Sequence, residues 1–119
     1  ILQVAWDTRS AYEWSHHVKI GRNFGITDAD LRAISSGDWQ GLQADAQAVL
    51  TAAAGIVRDG DLPDGQVEAL RAAFGEEVLT ELLLICSIYV GLARFLHVAR
   101  IEVEPDYMPE LREFPLPPG

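Results

Sequence analysis

Glu76-Glu-Val-Leu-Thr-Glu-Leu-Leu-Leu-Ile-Cys-Ser-Ile-Tyr-Val-Gly-Leu-Ala-Arg-Phe-Leu-His-Val-Ala-Arg100 holds no proline, and apolar side chains recur in it at three- and four-residue spacings. That period predicts a helix over residues 76–100. Val78, Leu79, Leu82, Leu83, Ile85, Cys86, Tyr89, Val90, Ala93, Leu96 and Val98 occupy much of its circumference. A helix apolar on so many sides is expected to be buried on most of them. In a chain of 119 residues, that means one core face and one face against a second copy. Arg94 and His97 are suitably placed for the negative end of the helix dipole.

Upstream, Gly75 breaks the pattern. Residues 66–74 place Val67, Leu70 and Phe74 on one stripe, which predicts a short helix. Residues 60–65 are a turn by their Gly and Pro content. Residues 43–59 form an Ala-rich helix suited to close packing. Residues 38–43 are a loop whose Trp39 fits an interface. Thr27 opens a short helix that carries Leu31 and Ile34 and stops at Gly37. Downstream of residue 100 the chain is acidic, then rich in proline, and cannot be helical throughout. Tyr107, Met108, Leu111 and Phe114 suggest an arm lying on a neighbouring subunit. The division expected is a helical domain over residues 1–105 and a Pro-rich arm over 106–119. The fold class expected is all-α, a compact helical domain, oligomeric.

Apolar residues make up 49% of the chain, enough for one globular core. The net charge of −9 leaves no basic stripe for nucleic acid and no attraction to an anionic membrane. Cys86 is the single cysteine, which fits a reducing, cytoplasmic setting. No basic segment followed by an apolar core and a small-residue site marks a signal peptide. The charge-free run from Leu82 to Ala93 is shorter than a bilayer span needs. Ile1-Leu-Gln-Val-Ala-Trp reads as the inside of a helix, so residues are expected upstream.

The chemistry concentrates in Ala11-Tyr-Glu-Trp-Ser-His-His-Val-Lys-Ile20. On a helix, Glu13 and His17 stand one turn apart on one face, and Glu13 also neighbours His16. A carboxylate that fixes one imidazole tautomer makes an acid/base unit. The competing reading is purely structural. Ser10 is a good N-cap, and Glu13 three residues later would complete a capping box. Adjacent histidines point about 100° apart and cannot both grip one ion, so no metal and no cofactor is expected.

Arg9, Tyr12-Glu13-Trp14 and His17, followed by Gly25-Ile-Thr-Asp-Ala-Asp-Leu31, resemble the carboxymuconolactone decarboxylase family, within the alkylhydroperoxidase-D-like superfamily. Residues 84–95 and the Glu102-Val-Glu-Pro105 exit are similar to it as well. The resemblance implies an all-α fold assembled as trimers or hexamers. Peroxidase members carry Cys-x-x-Cys-x-x-x-His, whose histidine matches His17. Their cysteine positions fall here on Ser10 and Glu13, so the dithiol cycle is not available. Peroxiredoxin activity remains only as a family association. Cys86, mid-helix among apolar residues, reads as an inert thiol.

Two functions follow. As an enzyme, His17 is the general acid/base and Glu13 orients it. Arg9, Tyr12 and His16 bind the substrate, with Arg9 on its carboxylate. The resemblance implies decarboxylation of a small carboxylated lactone. As a binding module, the chain is a helical oligomer for a small ligand or partner. A pocket joining Glu13, His17 and Arg9 would favour the enzyme; a dry packing contact would favour the module.

Overall fold

The structure, a computed structural model, describes residues 1–118. It is all-α, and among the described residues there is no strand. The elements are α1 (Leu2–Asp7), α2 (Ala11–Asn23), α3 (Asp28–Ser36), α4 (Ala44–Asp59), α5 (Asp64–Val98), a 3₁₀ turn at Pro105–Tyr107, and α6 (Met108–Glu113).

The shortest helices set the arrangement. α1 packs against α2, α3, α4 and α5, and its Val4 and Ala5 are buried. One apolar cluster joins Ala5 to Trp14, Val18, Leu31, Ile34 and Phe114. A second joins Ala52 and Leu62 to Leu70 and Leu79, and a third joins Val4 to Ala53 and Cys86. Ala52 and Ala53 are fully or nearly fully buried, so small side chains let α4 lie close to its neighbours. Each large aliphatic side chain buried this way contributes roughly 1.5–3 kcal/mol.

Three helices stop in the same way. At α1, the N–H of Arg9 donates to Trp6 O at 3.1 Å and the N–H of Ser10 to Ala5 O at 3.0 Å. At α2 the pair is Gly25 to Arg22 O and Ile26 to Gly21 O; at α5 it is Arg100 to His97 O and Ile101 to Leu96 O. This is the Schellman pattern, which needs one left-handed residue. Gly25 supplies it at α2 with φ 91°. Arg9 (φ 55°) and Arg100 (φ 56°) supply it at the other two, where a side chain costs about 1–2 kcal/mol relative to glycine.

The outward face of α5 corrects the expectation of a helix buried on most sides. Leu79, Cys86 and Ala93 point inward, but Ile88 and Phe95 are 60% and 63% exposed, and Leu84, Ile85, Leu92 and Val98 are exposed too. The described helices cover only one side of α5. The break expected at Gly75 is present inside α5, with φ 84° and ψ 167°. By length and composition α5 is also apolar enough to cross a membrane, with an 18-residue window of mean hydropathy 1.8. The short charge-free run hid this, because the few charges flanking it do not outweigh the apolar residues around them.

The C-terminal segment corrects a second expectation. It packs on this chain's own α2. Trp14 Nε1 donates to Phe114 O at 2.8 Å, Arg22 pairs with Glu113 at 2.9 Å, and the Phe114 ring is buried in the core.

Gly75 sits in a region of φ/ψ open essentially to glycine alone, and an added Cβ there would touch nothing within 4 Å. Gly75→Ala is therefore expected to lose about 1–3 kcal/mol through backbone strain alone. Gly65, helical and equally uncrowded, should instead gain roughly 0.5–1 kcal/mol as Ala. Urea denaturation of the two variants checks the opposite signs.

Candidate functional site

The site starts from the α1–α2 junction. Ser10 caps α2, its Oγ accepting the Glu13 N–H at 3.3 Å. A capping box would also need the Glu13 carboxylate on the Ser10 N–H. That N–H is already spent on Ala5 O in the stop of α1. The expected box therefore does not close, and the carboxylate is left free. Thr27 and Asp30, at the start of α3, form a complete one.

The freed carboxylate turns to His17. His17 Nδ1 lies 2.9 Å from Glu13 O and 3.2 Å from Glu13 Oε2. Both are acceptors, so Nδ1 carries the hydrogen and Nε2 presents its lone pair. Among the described residues Nε2 has no hydrogen-bond partner. The ring meets Tyr89 of α5 edge-on, centroids 5.2 Å apart. The Glu13 side chain is 6% exposed and that of His17 17%.

Burial pushes the His17 pKa below its usual value, and the Glu13 carbonyl and carboxylate only partly offset it. A carboxylate one helical turn away would by itself raise it. The carboxylate does act in that direction, but desolvation of a half-enclosed ring outweighs it. His17 is thus a neutral base at neutral pH.

His16 belongs to a different cluster. Its ring is stacked between Tyr12 (4.1 Å) and Tyr107 (3.6 Å). Nδ1 lies 2.7 Å from Tyr12 O and Nε2 3.3 Å from Glu104 Oε2. Tyr12 donates its hydroxyl to Glu104 Oε1 at 3.2 Å. Desolvation, and then the Glu104 bond, raise the Tyr12 pKa, so the phenol keeps its proton. Lys19 Nζ sits 4.7 Å from the Tyr107 ring centroid. These contacts hold the segment after α5 against α2.

Arg9 and Tyr12 line a cleft of about 350 Å³ with Ala11, Leu96, His97, Arg100, Ile101, Glu102 and Val103. Neither Glu13 nor His17 borders it. Of the five residues picked from the sequence, the fold thus unites Glu13 with His17, Tyr12 with His16, and Arg9 with Tyr12. Sequence reasoning missed Tyr89, Glu104, Tyr107 and Arg100. Tyr89, Glu104 and Tyr107 reach α2, and Arg100 the cleft beside it, from far along the chain, and no local spacing signals them. Among the described residues no group of three His, Cys, Asp or Glu side chains is placed to hold a metal ion. Cys86 is buried, and burial raises its thiol pKa, which keeps it from being a ready nucleophile.

No protein-family model, curated protein or solved structure matches this chain.

Because the folded state holds His17 neutral below its ordinary pKa of about 6.5, the unfolded chain takes up that proton first as the pH falls. The stability tied to His17 is therefore full above about pH 6.5 and declines as the pH drops from there towards the lowered folded value. Wild type and His17→Gln, compared by denaturation between neutral and mildly acidic pH, should differ in slope, with the wild type losing stability faster. Glu13→Gln removes the partial offset and should move the ring's titration still lower.

Proposed function

We propose that this chain is a carboxymuconolactone decarboxylase-like enzyme of the alkylhydroperoxidase-D-like type, acting on a small carboxylated, lactone-type substrate without thiol chemistry. One observation carries the reading: the His17 ring is fixed through Nδ1 by Glu13 and leaves a neutral Nε2 without a partner. A base fixed at one nitrogen and open at the other is what proton transfer at carbon needs. When the bond to the substrate carboxylate breaks, CO₂ leaves and the electron pair stays on the ring carbon, delocalised towards the lactone carbonyl. Nε2, bare at rest, takes up a proton from solvent as the substrate binds and passes it to that carbon as CO₂ leaves, returning to its bare state. Glu13 balances the charge that His17 carries while it holds the proton.

The same reading takes the protein to be a homo-oligomer. Ile85 and Leu92, exposed on α5, stand one helical turn to either side of Tyr89, whose ring touches His17. A second copy on that face would shield the imidazole from water. The resemblance points to trimers or hexamers.

A non-catalytic binding module is the second reading, and a specific observation favours it: the cleft beside Arg9 and Tyr12 does not reach His17. Turnover separates the two. His17→Gln is expected to lower the rate on a carboxylated lactone by about 10²-fold or more, the usual weight of a general acid/base, with helix content unchanged. An unaltered rate would leave only the binding module. Sedimentation equilibrium should give a mass well above the 13.1 kDa chain, and Ile88→Glu should return it to the monomer.

A further inference from the structure

Two of the three Schellman stops use arginine where glycine is the cheaper residue, and both arginines line the same cleft. Arg9 stands at the α1–α2 junction and Arg100 at the exit of α5, so the fold draws together two residues ninety-one positions apart (100 − 9). Their guanidinium groups form no ion pair among the described residues, as is true also of Arg32, Arg94 and Arg112, but only Arg9 and Arg100 share a cleft. The Arg100 side chain donates only to His97 O, at 2.9 Å. In a chain of net charge −9, two unpaired guanidiniums at one concavity make a local positive site.

We infer that this cleft binds a small organic carboxylate, at a site separate from the Glu13–His17 pair. The guanidinium forks of Arg9 and Arg100 match a carboxylate in geometry. Ala11, Leu96, Ile101 and Val103 form an apolar wall for a hydrocarbon body, and a volume of about 350 Å³ is near the lower end for small-molecule sites. Glu102 also borders the cleft. Its carboxylate opposes a second negative charge, which favours a monoanion with an apolar body over inorganic phosphate. His97 completes the rim. The inference stands whether or not His17 is catalytic, because it concerns binding alone.

Calorimetric titration of the full chain with benzoate tests it, with benzamide as the neutral isostere and inorganic phosphate as the dianionic comparison. Benzoate is expected to saturate one site, with benzamide and phosphate each about tenfold weaker or more, the loss of one charge-assisted contact. Arg9→Asn and Arg100→Asn should each weaken benzoate about tenfold. Asn tolerates the left-handed conformation, so both variants should keep the wild-type circular dichroism and thermal midpoint, which separates loss of the site from loss of the fold. Arg112→Asn, an exposed arginine on α6, should bind as the wild type does. Equal binding of benzoate and benzamide, phosphate binding as tight as benzoate, or undiminished affinity in both cleft variants would overturn the inference.

Discussion

Ser10 works in two helices at once. Its N–H closes the stop of α1 on Ala5 O, and its Oγ opens α2 on the Glu13 N–H. The left-handed Arg9 makes both possible, because it turns the chain so that only three residues separate the end of α1 at Asp7 from the start of α2 at Ala11. The consequence is electrostatic. A carboxylate that would otherwise cap the helix is released to face the imidazole one turn along. The Nδ1 of His17 then faces two Glu13 acceptors, the carbonyl oxygen at 2.9 Å and the released carboxylate at 3.2 Å.

Burial then decides how the pair behaves. A carboxylate 3.2 Å from a ring nitrogen would by itself favour the imidazolium. The junction is packed among α1, α2 and α5, and desolvation there works against charge more strongly than Glu13 works for it. The neighbouring histidine is held by different partners. His16 has acceptors at both ring nitrogens and tyrosines on both faces. Two adjacent residues are thus held differently: among the described residues His17 keeps Nε2 without a partner, and His16 clasps the returning C-terminal segment.

Local physics made much of this legible in the sequence. The helix stop at Gly37, the start at Thr27 and the break at Gly75 each depend on one residue's conformational range, and all are present. The Glu13–His17 contact needed only helical spacing. The open capping box was not legible, because the α1 stop uses arginine, and no residue type announces a Schellman turn without glycine. Nor was the sign of the His17 shift, which depends on what packs over the ring. The outward face of α5 illustrates the same limit: apolar circumference says that something should cover a helix, while the covering helices must be counted in three dimensions. The Arg9–Arg100 cleft exists only because two distant helix stops meet.

The direct test of the junction is the protonation state of the His17 ring, read from long-range proton–nitrogen correlation spectra at neutral pH. With Glu13 released by Ser10 and holding Nδ1–H, Nδ1 should show the shift of a protonated nitrogen and Nε2 that of a bare one. A ring protonated at Nε2 alone, or at both nitrogens above about pH 6.5, would contradict the account and leave Glu13 and His17 as no more than neighbours on a helix.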